Sequence, residues 1–350
     1  MLPQYAHTLK GQYKLPPKNK GYVVSHGCYA RAALRSKFGI SPIKFSLDVD
    51  LSHWTAPVNI RNSKSPNIYT AHDLIPLIAP HLCAGSLNTF KSLIQKIVKS
   101  ADLILTVSDQ TKSDLHALFD IPDNKVVNTY QIVPQDTLEK NIFDLEILNQ
   151  HGLTAGKYLL SLSTIEPKKN INRLIQAHQI SGVKMPLVIV GKEGWMLTSD
   201  KNNLSQNPFM VDRNLLKAPG TKHLGYVDKN TRQALLKNAR ATLFPSLYEG
   251  FGLPIAESMA AGTPVLTSNF GAMQEVAGDA ALLVDPYNIN NIAYGIKALA
   301  ANDALCHKLV KRGQANIKRF ASETITKKVL SCYHSVLEKK PARTSKKWAS

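Results

Sequence analysis

The 350-residue sequence predicts an α/β protein organised as two doubly wound domains, each a parallel sheet covered by helices, with the N-terminal one incomplete. Three observations carry this expectation. The length exceeds what one hydrophobic core usually serves and suggests two domains of roughly 150 residues each. From about residue 155 onward, short apolar runs alternate with segments of helical period, the pattern of βα units around a parallel sheet. Before residue 150 the alternation is thinner, and only three or four strands can be drawn.

In the first half, "NIYTAHDLIPL" (67–77) reads as a strand and its exit, "LNTFKSLIQKIVKS" (87–100) as a helix, and "ADLILTVSDQTKSDLHALF" (101–119) as a strand followed by a helix. Ser108 suits the N-cap of that helix, with Asp109 in its first turn. In the second half, "YLLSLST" (158–164), "PLVIVG" (186–191), "TKHLGYV" (221–227), "ATLFPS" (241–246), "PVLTS" (264–268) and "ALLVDP" (281–286) read as strands. Helical segments fall between or after them at 170–181, 229–240, 288–302 and 304–317. A Rossmann-like domain fits this order. The segment "RFASETITKKVLSCYHSVL" (319–337) reads as one amphipathic helix, with Val329, Cys332, Tyr333 and Val336 on one face. No repeat of fixed period is visible, so solenoid and propeller architectures are set aside.

Composition narrows the class. A hydrophobic fraction of 44% and a mean hydropathy of −0.15 describe a globular chain. No apolar run approaches the roughly 18 residues that a membrane-spanning helix needs, and the first 20 residues hold no apolar signal core, so a cytoplasmic protein is expected. Cys28, Cys83, Cys306 and Cys332 lie far apart without a C-x-x-C pair, which argues against a zinc site and a disulfide framework. The net charge of +18 attracts nucleic acid, anionic headgroups or phosphorylated substrates. Part of it lies at the ends: Lys10, Lys14, Lys18 and Lys20 precede any acidic residue, and the tail carries Lys339, Lys340, Arg343, Lys346 and Lys347. Solvated termini are the plainer reading of these runs. A basic tail ending near Trp348 also suits a weak contact with an anionic membrane surface. No basic-aromatic recognition motif appears, so nucleic acid is not an expected partner.

The segment "SLYEGFGLPIAESMAAGTPV" (246–265) concentrates the chemistry. A strand ends at Ser246, a loop with Gly250 and Gly252 follows, Pro254 occupies a first-turn position and Gly262 closes the helix. Such a strand-to-helix turn presents unpaired backbone N–H groups and the positive end of a helix dipole, which favour phosphate. Glu257 is placed to accept from two ribose hydroxyls, and Glu249 at the strand end to take sugar hydroxyls. For an isolated pair, the alternative is that Glu257 complements the dipole and Glu249 is an ordinary turn residue.

The pair is not isolated. "EGFGLPIAE", followed by "MAAGTPV" and "GAMQEVAGDAALLVDP", together with "STIEPKKNINRLIQA" (163–177), "ADLILTVSDQTKSDL" and "YTAHDLIPL", resembles the retaining glycosyltransferases of the GT-B fold, family 4. The resemblance covers roughly residues 47–337. It implies two Rossmann-like domains facing across a cleft: 1–150 on the acceptor side, 151–318 binding the nucleotide sugar, 319–338 as a helix crossing back, and 339–350 as a basic tail. By the same resemblance, Glu249 binds the donor sugar's hydroxyls, and Gly250, Phe251, Gly252 and Leu253 bring bare amides to the sugar and diphosphate. Glu257 holds the ribose, Lys169 neutralises the diphosphate, His72 lies across the cleft beside the transferred sugar, and the backbone of Gly225, Tyr226 and Val227 faces the base. Read alone, His72 is an ordinary cap of the following helix, and His53 is a secondary candidate. "GKEGW" (191–195) reads as a turn after a strand.

Breaking an anomeric C–O bond to a nucleoside diphosphate builds positive charge on the sugar and negative charge on the leaving phosphate. The family resemblance implies that this proceeds without cofactor or metal. "DVD" at Asp48–Asp50 matches a D-x-D string, but it leads into "LSHWTAP" and is not read as a metal site. Two departures stand out. The common phosphate loop has an arginine five residues before the lysine, where this chain has Thr164, and Lys168 is expected to compensate. The family's first strand and glycine-rich acceptor loop are also not expected here, either because the N-terminal domain is truncated or because residues 1–45 replace those elements. The "EPKKN" loop looks like that of bacterial polysaccharide mannosyltransferases. GDP-mannose as donor and a saccharide or polyprenyl-diphosphate-linked oligosaccharide as acceptor are therefore expected, with UDP-glucose and dTDP-rhamnose as alternatives. A nucleotide-sugar-binding protein without transfer is the second class.

Overall fold

The computed structural model describes residues 26–38, 40–46, 48–134, 142–207 and 209–339. Lys10, Lys14, Lys18 and Lys20 and the tail beyond Lys339, with Trp348, lie outside these residues.

The N-terminal half carries β1 (Ile43–Phe45), β2 (Ser52–Trp54), β3 (Ile60–Asn62), β4 (Asn67–Ala71), β5 (Leu103–Thr106) and β6 (Val126–Asn128). Strands β2, β4, β5 and β6 form a parallel sheet in that order, and β1 pairs with β3. This is more strand than the three or four expected. The additional strands, "IKF", "SHW" and "IRN", are three residues each and mix polar with apolar side chains, too short for a periodicity to register. A helix at His26–Lys37 and another at Ile142–Gln150 were likewise not foreseen. The helix Leu87–Ser100 matches its expected span, and Ser108 caps Asp109–Leu118 by accepting from the Thr111 amide at 3.0 Å.

The C-terminal half carries β7 (Leu159–Leu162), β8 (Leu187–Val190), β9 (Leu197–Thr198), β10 (Val211–Asp212), β11 (Thr221–Gly225), β12 (Ala241–Phe244), β13 (Val265–Ser268) and β14 (Leu282–Val284). Six of them form a parallel sheet in the order β11-β8-β7-β12-β13-β14. Its inner strands are buried at every position, which is why they read as continuous apolar runs rather than as alternation. The short pair β9–β10 lies in the polar stretch for which no strand was expected.

Several contacts join the two halves. The helix Ser322–Glu338 follows a tight turn at Ile317–Phe320 and packs Cys332 and Val336 against Ile68, Leu103 and Leu105 of the first sheet. On the same helix, the Tyr333 hydroxyl lies 2.7 Å from Nδ1 of His53, whose Nε2 lies 2.8 Å from the Thr70 hydroxyl. Glu275, on the helix Gly271–Ala277, accepts from the amides of Asp109 (2.7 Å) and Gln110 (3.0 Å), placing a carboxylate at the positive end of a helix in the other half. Among the described residues, no helix is long and apolar enough to cross a membrane.

Candidate active site

The strand order of the larger sheet reverses between β7 and β12, and in open α/β sheets such a switch point leaves a crevice beyond the carboxyl ends of the strands. Both loops that leave there carry charge. After β7 the chain runs through a tight turn at Pro167–Lys169 to Asn170, which adopts a left-handed conformation (φ 59°). Asn170 tolerates that conformation, and its amide donates to the carbonyls of Pro245 (3.0 Å) and Pro286 (2.7 Å). The Leu247 amide donates to the Lys168 carbonyl at 2.7 Å, so the loop after β7 is pinned to the loop after β12.

That pinning brings Lys169 to Glu249, with Nζ and Oε1 2.6 Å apart. Lys168 stands 3.9 Å from the other carboxylate oxygen of Glu249 and 3.6 Å from Glu166. Burial alone would lower the Lys168 pKa, but the carboxylates of Glu249, Glu166 and Asp73 hold it above the usual lysine range. Burial raises the Glu166 pKa and outweighs the two lysines. Lys169 also lies over the Phe244 ring, 5.1 Å from its centroid.

Beyond Glu249 the backbone turns through Gly252 (φ +95°) into the helix Leu253–Ala260, with Pro254 in its first turn and no side chain capping its amides. A cavity of about 400 Å3 opens in front of this helix start. It is lined by Lys169, Glu249 and Glu257 on one side and by His72 and Asp73, from the exit of β4, on the other. The two walls nearly touch at Gly250, where an added β-carbon would lie 1.9 Å from the His72 carbonyl oxygen. The Thr111 hydroxyl spans the same seam, 3.3 Å from both the His72 and the Gly250 carbonyl oxygens. Nearby, the Tyr248 hydroxyl donates to Asp114 at 2.5 Å. His72 Nε2 lies 2.8 Å from the Thr55 carbonyl, which can only accept, so Nε2 carries a proton.

Of the expected site residues, His72, Lys169, Glu249, Gly250, Phe251, Gly252, Leu253 and Glu257 all line this cavity, and Lys168 adjoins it through Glu249. Thr164 does not line it; its methyl lies beside Gly194. Gly225, Tyr226 and Val227 are also outside the lining: Gly225 ends β11, Tyr226 is 72% exposed beneath the Lys192 ammonium, and Val227 packs on the core. His53 is engaged by Tyr333 and Thr70, away from the cavity. Arg232 was missed. It lines the cavity from the helix Lys229–Asn238 and pairs with Glu257. The available signal was a cation in the first turn of a helix, where the dipole disfavours it. Asp73 and Gln131 were missed as well and carry no such signal.

Residues 144–316 match the family described as Glycosyl transferases group 1. The O-antigen chain mannosyltransferase B of Escherichia coli is 35% identical over 272 residues, covering 76% of this chain and 69% of that protein. The serotype-specific mannosyltransferase WbdA of Escherichia coli is 24% identical over 282 residues, covering 77% of this chain but only 33% of that longer protein. Among solved structures, Anabaena HepE in complex with UDP and glucose superposes with a TM-score of 0.65 at 18% identity, covering 78% of this chain and 72% of that one. The likeness is one of fold, and that fold is GT-B.

Proposed function

The chain belongs to the glycosyl transferases group 1 family, and from that premise we propose that it is a retaining mannosyltransferase, moving mannose from GDP-mannose to a saccharide or polyprenyl-diphosphate-linked acceptor in polysaccharide synthesis. The observation that carries the reading is the convergence of Lys169, Glu249 and Glu257 on one cavity whose opposite wall is His72. The choice of mannose rests on the mannosyltransferases among the relatives.

In the proposed reaction the anomeric C–O bond of the donor breaks and GDP leaves. An acceptor hydroxyl forms the new bond on the face from which GDP departed, and its proton passes to the departing phosphate oxygen. Lys169, Lys168 and the amides opening the helix Leu253–Ala260 stabilise the negative charge on that phosphate, and no metal ion is assigned to the step. Glu249 holds sugar hydroxyls and Glu257 the ribose. His72 contributes its ring to the acceptor-side wall. Residues 151–318 form the donor-binding domain in this reading.

In this reading the protein works in the cytoplasm, against the inner face of the membrane. Supporting this, no Asp or Glu precedes Asp48, and Leu34, Phe38 and Ile40 are exposed next to Arg35, Lys37 and Lys44. The reaction is tested by assaying transfer and hydrolysis over GDP-mannose, UDP-glucose and dTDP-rhamnose, with and without EDTA. Turnover of GDP-mannose, insensitive to EDTA, is expected. Preference for a uridine donor overturns the mannose assignment, and nucleotide binding without turnover of any donor favours a binding protein.

A further inference from the structure

Arg232 has a position that the family motifs do not explain. Its guanidinium pairs with the Glu257 carboxylate. It lines the cleft cavity and also an adjoining cavity of about 180 Å3 walled by Pro134, Lys229, Gln233 and Lys237, so it stands at the junction of the two. The helix that carries it is capped by Asp228, whose carboxylate is already occupied by the amides of Asn230 and Thr231. Glu257 is therefore the partner that offsets a cation placed against a helix dipole.

The charge around the cleft sharpens the point. Lys169 is tied to Glu249, Lys168 lies between Glu249 and Glu166, and Arg232 is tied to Glu257. Each of these cations is held by a carboxylate, and a diphosphate entering the cavity must take at least one of them over. Thr164, at the loop position where an arginine is usual, offers no charge and faces Gly194. Arg232 is the half-exposed member of the set, 36% accessible against 17% and 13% for the two lysines, so its ion pair is the least costly to exchange. Its planar fork can meet two phosphate oxygens through parallel N–H bonds, a geometry that the point-like ammonium does not offer.

We infer that Arg232 is a diphosphate-binding residue controlled by Glu257: when ribose hydroxyls occupy the Glu257 carboxylate, the guanidinium is released and turns to the diphosphate, supplying the charge that Thr164 does not. This rests on the donor-site reading above. It makes nucleoside and diphosphate binding cooperative, because the first contact frees the cation for the second.

The test compares guanosine with GDP, and uridine with UDP, in binding titrations of the wild type, Arg232→Ala and Glu257→Gln. The readout is how much more tightly the diphosphate binds than its nucleoside. Arg232→Ala is expected to reduce that ratio by about tenfold or more. Glu257→Gln is expected to weaken the nucleoside while keeping most of the ratio. Equal weakening of nucleoside and diphosphate by Arg232→Ala would mean that Arg232 only orients Glu257, and it overturns the inference while leaving the donor site standing. A wild type that binds neither diphosphate overturns both. Thermal melting of each variant checks folding, and should Arg232→Ala melt early, Arg232→Gln gives the same comparison.

Discussion

A β-carbon on Gly250 would stand 1.9 Å from the carbonyl oxygen of His72 and 2.8 Å from the β-carbon of Asp73. This is where the loop after β12 meets the loop after β4, and it fixes the distance between the two walls of the candidate site. The obstacle is backbone on one side, which cannot rotate away as a flexible side chain would. Thr111 reaches both carbonyls across the same seam, so separating the walls also loosens its hydroxyl contacts.

Gly250→Ala is therefore expected to push the walls apart, lowering stability by about 1–3 kcal/mol. Transfer should fall by more than tenfold, because misplacing groups by about 1 Å already costs on the order of a hundredfold in a preorganised site. Denaturation and activity are read together. A variant with wild-type melting and wild-type turnover would contradict the close approach.

Lys169 and Glu249 form the most buried ion pair of the cavity, with side chains 13% and 9% accessible. Removing either partner strands a charge with little water. Lys169→Ala leaves Glu249 with Lys168 at 3.9 Å, and Glu249→Ala leaves the two lysines side by side. Each single change is expected to cost about 3 kcal/mol, and the double change clearly less than the sum of the two. Urea unfolding of the four proteins gives the coupling energy directly. Additive losses would mean that the pair contributes nothing specific, whatever its geometry.

The larger sheet was legible because its inner strands are buried on both faces. "YLLSLST" and "PLVIVG" each enclose a four-residue strand buried at every position, with the observed strand ends only one or two positions inside the expected ones. The N-terminal strands "SHW" and "IRN" were not legible, since three residues on a small sheet carry no period. Within the site, the residues read from contiguous motifs, Lys169, Glu249, Gly250 to Leu253 and Glu257, are the ones that the structure assembles. Arg232 escaped because its pairing depends on which helix lies beside Glu257, a tertiary fact that its place in a helix's first turn does not encode. Thr164 and Gly225 to Val227 were placed by family position alone, and here side-chain packing and strand ends take them away from the cavity wall.

His53, set aside as a substrate contact, supports a different expectation. Its ring lies between the hydroxyls of Tyr333 and Thr70, where the last helix meets the first sheet, and burial lowers its pKa below 6.5. Between that lowered value and 6.5 the unfolded chain binds a proton that the folded chain refuses. Stability therefore rises with pH across this window, and acidification from 6.5 downward removes it until the folded value is passed. One such group contributes at most about 1.4 kcal/mol per pH unit. Burial lowers the His178 pKa in the same way, so the wild-type slope has more than one source. The difference between wild type and His53→Gln isolates the part due to His53, since Gln keeps a polar side chain at that junction without titrating. Unfolding midpoints at pH 7.5 and pH 5 should show wild type losing more stability than the variant. Equal losses would mean that His53 titrates alike in the folded and unfolded chain, and that the junction with Tyr333 is not acid-sensitive.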